Sequence, residues 1–302
     1  MTTHSYNRIY GFIIPNITIL LIIGINKIFN VSNESTLVFS EFVVLPMLMG
    51  IMSYWFWRRL KLSTRILVWS SIFNGLIAIL LSFLFLGEGT ICLIIVSPLI
   101  FAFVLTGTFV GKAMFKRDNQ KLNVSIVSLL LAIFIIDSTS EHHYQNMVSD
   151  EIVISSTPEN IWKNVVAFKK INKPNNFWLF KVGMPSPMQT TVTAYKNGAG
   201  RKCIFSNGYI FDEKIVSYDV NKNLTFDIVE QPKDPEIMGH IDIERGQFLL
   251  KDNGNGTTTL VGNSWYKLKV FPIWYYDLWA ESITRNVHLR VMENIKSLSE
   301  EK

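Results

Sequence analysis

The sequence predicts an α+β chain in two parts, an N-terminal bundle of about five transmembrane helices and a curved antiparallel sheet wrapped around a long C-terminal helix. The chain is 49% hydrophobic and only 18% charged, which is too apolar for an ordinary soluble protein. The long apolar runs end near residue 138, and shorter runs separated by turn sequences follow. The predicted parts are a membrane region (1–138), a juxtamembrane linker (139–149) and a second domain (150–302).

Five apolar runs make up the membrane region. A spanning helix needs about 20 mainly apolar residues, and four of the runs reach that length comfortably. The fifth is marginal because Asn123, Ser125 and Ser128 dilute it, although their side chains can bond back to the helix. The runs cover residues 9–29, 37–57, 66–86, 91–115 and 122–136.

Basic residues predict how these helices are oriented. They cluster after the second run, from Arg58 to Arg65, and after the fourth run, from Lys112 to Lys121. Both connections, and with them the N-terminus, are therefore expected in the cytoplasm. The fifth run then crosses outward and places residues 139–302 outside the cytoplasm. A re-entrant or interfacial fifth helix, which leaves the second domain inside, remains the alternative.

Charge and motif content disfavour several functions. Residues 1–138 hold 10 Lys and Arg against 5 Asp and Glu, so the net charge of +5 lies beside the membrane runs and not on a nucleic-acid surface. No ionisable residue lies at mid-depth of a run, which disfavours a transport path. No metal-ligand or nucleotide motif occurs, and neither a metal nor a cofactor is expected. Cys92 and Cys203 fall in different parts and predict no disulfide.

The second domain opens with a short strand at residues 151–155 and a helix. Ser156 and Glu159 match a capping box, and Pro158 suits a first helical turn. Residues 273–298 carry apolar side chains at every fourth position and predict a long final helix with one buried stripe. Between these helices, strand-like runs separated by KNGAG, NG, DVNKN and DNGNG cover residues 189–195, 201–207, 209–218, 224–230, 241–250 and 257–270.

These segments resemble the START-like or Bet v 1-like superfamily (SRPBCC, polyketide cyclase/dehydrase), fused here to a multi-span membrane region. The resemblance is carried by VISSTPENIWKNV, GRKCIFSNG, RGQFLL, TTTLVGNSWY and PIWYYDLWAESITRNVHLRVMENI, over residues 150–302. It implies a helix-grip fold with a hydrophobic cavity between the sheet and the C-terminal helix. The last segment is similar to bacterial membrane-linked members, which implies an integral protein of a bacterial plasma (inner) membrane. The superfamily spans lipid carriers, metabolite binders and aromatase/cyclases, so the resemblance leaves the chemistry open.

Aromatic residues supply the candidates for lining such a cavity. Taken singly, each ring is more simply a packing residue, but together they offer more aromatic surface than the core of a single-sheet domain needs. The candidate ligand-binding residues among them are Phe205, Tyr209, Phe226, Phe248, Trp265 and Trp279.

One face of the final helix supplies polar candidates. Asp277, Glu281, Thr284 and His288 follow at spacings of four, three and four, which places them on one face. If this face borders the cavity, His288 can orient a ligand hydroxyl or donate a proton, with Glu281 holding it. If it faces water, it is an ordinary solvated stripe.

Three functions remain open at this stage. The leading one is a membrane-tethered protein that binds or carries a lipid-like or polyketide-like hydrophobic molecule, with no catalysis. The second is an aromatase/cyclase-type enzyme that uses Glu281 and His288, which the thin supply of polar groups disfavours. The third is a membrane sensor whose helices relay ligand occupancy. The expected partners are a hydrophobic small molecule or lipid and the membrane, with no nucleic acid.

Overall fold

A computed structural model describes residues 3–29, 40–115, 120–138, 144–174, 176–232, 240–270 and 272–301, which form two compact units. The first unit is helical, and the second combines a sheet with three helices. Several expectations fall outside the described residues, namely those for the connections at 30–39 and 116–119 and for the linker residues 139–143.

The described residues of the first unit form five α-helices. A π-helical turn at Ser40–Val44 precedes the second helix, and another at Ser82–Leu86 follows the third. The helices are α1 (Thr3–Phe29), α2 (Leu45–Trp57), α3 (Thr64–Leu81), α4 (Thr90–Phe115) and α5 (Gln120–Ser138).

Four helices of the described chain, not about five, are long and apolar enough to cross a membrane. They cover Tyr6–Ile25, Ser40–Leu60, Thr64–Leu86 and Thr90–Phe115. The fifth run does form a helix, α5, but it is not among the four. Its apolar stretch, 122–136, holds 15 residues. At 1.5 Å per residue this stretch reaches only about 22 Å, against about 30 Å of hydrocarbon.

Helices α2 and α4 approach closely because glycines lie where they meet. A Cβ atom at Gly107 would lie 2.0 Å from the carbonyl oxygen of Met47, and one at Gly50 would lie 2.1 Å from that of Val104. Small residues at such contacts are typical of helices that pack within a membrane. The core of the unit forms around this contact and contains Ile19, Val44, Leu45, Leu48, Met49 and Val104.

Buried polar side chains connect the helices of the first unit. Asn74 of α3 donates to the Ser53 hydroxyl of α2 at 2.7 Å and accepts from Asn16 of α1. Ser71 of α3 donates to Thr108 of α4 at 2.8 Å. Since an apolar surrounding offers no other partners, these hydrogen bonds favour one set of facing helix surfaces.

The second unit is a seven-stranded antiparallel sheet in the order β1-β7-β6-β5-β4-β3-β2. The first strand begins at Tyr144, earlier than the strand expected at residues 151–155. The elements are β1 (Tyr144–Ile154), α6 (Pro158–Val166), α7 (Trp178–Lys181), β2 (Pro187–Val192), β3 (Gly200–Phe205), β4 (Ile210–Asp219), β5 (Asn223–Glu230), β6 (Ile241–Asp252), β7 (Thr258–Leu268) and α8 (Ile273–Glu300).

The sheet curls around α8. The helix contacts β1 and β7 at one edge of the sheet and β2 at the other. At the second edge, Arg290 donates to the carbonyl oxygen of Pro187 at 3.0 Å. A flat sheet of seven strands is about 29 Å wide and a helix only about 10 Å, so one helix reaches both edges only if the sheet bends. The expected α+β arrangement of a curved antiparallel sheet and a long C-terminal helix is confirmed.

The capping box expected at the start of α6 is wrong. Thr157, not Ser156, is the N-cap residue, and its side chain makes no capping hydrogen bond. Pro158 takes the first helical position, so Glu159 occupies the second position and not the third that a capping box requires. Packing fixes this short helix instead, because Ile161 and Val165 are fully buried.

Candidate functional site

The concave face of the sheet has a closed end, where the core of the second unit lies. Inward side chains of the sheet pack there against α6 and the C-terminal half of α8. The buried members from the sheet and α8 include Ile154, Ile215, Leu224, Phe226, Phe248, Leu250, Leu260, Val291, Met292 and Ile295. Among the described residues, these buried side chains pack against one another and fill this end of the concave face.

The opposite end of the concave face, which we call the open end, lies beside α7 and the N-terminal half of α8. Inward apolar side chains keep part of their surface exposed there, as Phe205 and Ile243 show. Trp279 of α8 is also half-buried, with its ring centroid 6.3 Å from that of Trp178 in α7. Trp274 and Leu278, at the start of α8, are 65% and 64% exposed.

The candidate cavity residues divide between these regions. Phe226 and Phe248 belong to the closed core, where their ring centroids lie 6.3 Å apart. Phe205 and Trp279 lie at the open end. Tyr209, in the turn between β3 and β4, is half-buried.

Trp265 does not line the concave face, contrary to the expectation from the sequence. It lies between Ser264 and Tyr266 on β7, and successive strand residues point to opposite faces of a sheet. The Tyr266 hydroxyl reaches Asp277 of α8 at 2.7 Å, so Tyr266 points inward and Trp265 points to the convex face. Aromatic character alone did not distinguish these two neighbours.

The polar face of α8 lies against β1 and β7. Thr284 and His288 are buried, so a solvated stripe is the wrong interpretation for both. Asp277 accepts hydrogen bonds from Tyr266 and, at 3.0 Å, from Asn146 of β1. Glu281 is half-exposed and pairs with Arg285 at 2.9 Å.

His288 is held by Asp150 and not by Glu281. Its Nδ1 atom lies 2.9 Å from Asp150 Oδ2, and its Nε2 atom lies 2.7 Å from the Ser264 hydroxyl. Arg285 binds the other oxygen of Asp150 at 3.0 Å. The cyclase alternative thereby loses the partner that it assigned to His288.

The electrostatics of this cluster favour a neutral imidazole. Burial lowers the pKa of His288, and the hydrogen bond to Asp150 opposes that shift in part. Because the carboxylate only accepts, Nδ1 carries the proton and Nε2 is left to accept the hydroxyl proton of Ser264. The Ser264 oxygen is consequently polarised by the imidazole.

Sequence reasoning missed Asp150 and Ser264. Asp150 was placed at the boundary of a linker, whereas it is an inward residue of β1 directly opposite Gly262. Asp150 lies two residues before Ile152 and four before Ile154 of the predicted strand, and this period of two is the signal that could have placed it on the same face.

A buried ion pair lies on the concave face between β3 and β4. Arg201 pairs with Glu213, donates through Nε to the Val166 carbonyl oxygen at 3.1 Å, and lies 4.4 Å from the ring centroid of Phe226. Burial raises the pKa of Glu213, and Arg201 opposes that rise. Burial also raises the pKa of the neighbouring Cys203 thiol to about 12, which keeps it protonated and unreactive.

Comparison with known proteins yields structural likenesses only. No family model and no curated protein matches the chain. Truncated norcoclaurine synthase from Thalictrum flavum is 11% identical with a TM-score of 0.38, over 54% of this chain and 99% of that one. Ara h 8.0201 is 12% identical with a TM-score of 0.35, over 52% and 98%. A Nitrosospira multiformis protein is 15% identical with a TM-score of 0.35, over 50% and 94%. Such values carry no information on ligand or activity.

Proposed function

We propose that the protein is anchored in a membrane by its N-terminal helices and binds a hydrophobic small molecule at the open end of the concave face, between the sheet and α8. The difference between the two ends of this face carries the proposal. One end is filled by the chain's own side chains, while Phe205, Ile243 and Trp279 at the other remain partly exposed. Covering such surface is favourable by about 25 cal/mol per Å², and an apolar ligand supplies the cover.

Membrane anchoring is supported by the four helices that are long and apolar enough to span a bilayer. The basic clusters after the second and fourth apolar runs favour a cytoplasmic N-terminus, and four crossings then place the second unit at the cytoplasmic surface of the membrane. Apolar molecules concentrate in bilayers, so tethering gives the binding unit a high local concentration of ligand. A bacterial plasma membrane is the expected location.

Ligand extraction tests the binding proposal. The full chain, transferred to lipid nanodiscs, is washed, extracted with organic solvent and compared with empty nanodiscs by mass spectrometry. We expect one class of apolar molecule to be enriched with the protein. Trp279→Ala should reduce its amount severalfold, whereas Trp265→Ala, which removes the same ring from the convex face, should not. No enrichment, or equal effects of the two substitutions, contradicts the proposal.

A fusion tests the topology. Alkaline phosphatase joined after residue 302 is active only outside the cytoplasm, so we expect this fusion to be inactive. A cytoplasmic reporter in the same position should be active, whereas an active phosphatase would show that α5 crosses and that the second unit lies outside.

A further inference from the structure

Ser264, His288 and Asp150 form an unbroken hydrogen-bonded chain from β7 through α8 to β1. The two links, from the Ser264 hydroxyl to Nε2 and from Nδ1 to Asp150, measure 2.7 and 2.9 Å. A hydroxyl, an imidazole and a carboxylate in this order activate an oxygen nucleophile in enzymes of unrelated folds. Such a triad is identified by the hydrogen bonds that join its three side chains and not by the order of its residues in the sequence.

We propose that Ser264 is the nucleophile of a slow acyl-transfer site whose substrate is the ester of an apolar acyl chain. This proposal rests on the function proposed above, because the acyl chain must lie at the open end. The Ser264 oxygen bonds to the ester carbonyl carbon while its proton passes to Nε2 of His288. The ester C–O bond then breaks, and the leaving alcohol takes that proton. Water hydrolyses the acyl-serine with His288 as base, which releases the carboxylic acid and restores Ser264.

The surroundings of His288 suit a base of fixed orientation. The imidazole is 5% exposed and is bound on both sides, so it cannot rotate without losing a hydrogen bond. Asp150 is a positioning residue, since it holds the proton on Nδ1. Its other oxygen is bound by Arg285, which is itself bound by Glu281. Glu281 therefore acts on the imidazole only through Arg285 and Asp150.

Ser264 is more accessible than its two buried partners. It is half-buried, and two of its inward neighbours are glycines, Gly262 on the same strand and Gly246 directly across on β6; the other two are Tyr266 and Val148 of β1. Neither glycine has a side chain to cover the hydroxyl. The Phe226 ring and the Met292 sulfur lie above these glycines, 2.4 Å and 2.9 Å from where a Cβ atom would stand, so an ester carbonyl must reach Ser264 from the side of the open end.

The geometry predicts that acyl transfer is slow. The described part of β7 is paired along both edges, with β1 and with β6, so its backbone N–H groups are engaged in the sheet. No free backbone donor of β7 is therefore left to bind the oxyanion of the tetrahedral intermediate. Loss of one such donor lowers the rate by about 10²–10³-fold in enzymes that have one. Stoichiometric acylation, not turnover, is consequently the primary measurement.

The test uses the full chain in nanodiscs with p-nitrophenyl decanoate and, separately, decyl p-nitrophenyl ether, which has a similar shape but cannot acylate. Uptake of the ether reports binding, and intact mass with peptide mapping reports acylation. We expect a decanoyl adduct at Ser264 that is absent in Ser264→Ala and forms at least 100-fold more slowly in His288→Gln. Ser149→Ala, which removes an exposed serine from β1, should leave it unchanged.

Asp150→Asn separates positioning from folding. It should lower the acylation rate constant at saturating ester about 10-fold or more, while the half-saturating concentration and ether uptake stay within twofold. Ether uptake without an adduct at Ser264, or with an adduct on another residue, would show that Ser264 is not a nucleophile. The hydrogen-bonded cluster would then serve only to hold α8 against the sheet. Absence of both uptake and adduct overturns this proposal and the proposed function together.

Discussion

Replacement of Glu213 by Gln tests the buried ion pair of the concave face. The side chains of Arg201 and Glu213 are only 2% and 4% exposed, so water cannot solvate a cation left without its partner. Removing one partner of such a pair costs about 3–5 kcal/mol. Arg201 keeps its bond to Val166 and its position over the Phe226 ring, so we expect a loss at the lower limit, about 3 kcal/mol.

Hydrogen exchange followed by mass spectrometry measures this loss in the full chain. The chain has two units, so a single global unfolding transition is not well defined, whereas amide protection in β3 and β4 reports the second unit directly. At 1.4 kcal/mol per factor of ten, a loss of 3 kcal/mol accelerates exchange of these amides about 150-fold.

The neighbouring pair of Lys202 and Asp212 provides the matched control. It joins the same two strands at 3.1 Å, but its side chains are 52% and 40% exposed. Asp212→Asn should change protection about fivefold at most, because an exposed pair contributes about 0–1 kcal/mol. Replacing Arg201 and Glu213 together by Met and Leu should restore most of the protection. If Glu213→Gln has no larger effect than Asp212→Asn, the assignment of a buried charge pair is refuted.

Three further predictions concern other parts of the molecule. Burial lowers the pKa of His288 below its ordinary value of about 6.5, so the unfolded chain binds more protons than the folded chain between the two pKa values. The free energy of unfolding is therefore largest above about pH 6.5. It falls as the pH is lowered toward the pKa of the folded state, by at most about 1.4 kcal/mol per pH unit. His288→Gln, which leaves Asp150 and Arg285 facing each other, should flatten this slope in hydrogen exchange of β1 and β7, and equal slopes would disprove the assignment. Trp274→Ser with Leu278→Ser should slow transfer of a fluorescent fatty acid from vesicles at least twofold, whereas Val220→Ser with Val229→Ser, also at exposed sites, should not. Gly107→Leu should separate α2 from α4 and lower the resistance of the first unit to sodium dodecyl sulfate. Gly24→Leu should leave that resistance unchanged, because a Cβ atom added at Gly24 meets nothing within 4 Å among the described residues.

The fold of the second unit could be predicted well because its signals are local. Turn sequences separate the strands, and the apolar stripe of the last helix repeats every four residues. The start of β1 could not be predicted in this way. Residues 144–150 alternate only weakly between polar and apolar side chains, and what makes them a strand is pairing with β7, more than a hundred positions later.

The site was predictable only in part, for a related reason. The spacing on α8 placed His288 and Thr284 on one face, and the structure buries both. The partners of His288 come from β1 and β7, and no spacing rule joins residues across a sheet and a helix. The spacing predicts Glu281 as the partner because it shares a face of α8 with His288, whereas a carboxylate 138 positions away takes that role. The pairing of Arg201 with Glu213 could not be predicted either, because only the register of β3 and β4 places these residues opposite each other.

Two different forces hold α8 along its length, and this difference bears on ligand entry. The C-terminal half is held by close-packed apolar side chains such as Met292 and Ile295, which separate only at a large cost in buried surface. The N-terminal half is held by polar contacts, with Asp277 bonded to Tyr266 and Asn146. Water can replace such partners at about 0.5–1.5 kcal/mol per hydrogen bond. We therefore expect the N-terminal half of α8 to open first, at the end where Trp279 and Phe205 are already partly exposed, and an apolar ligand to enter there while the closed core stays intact.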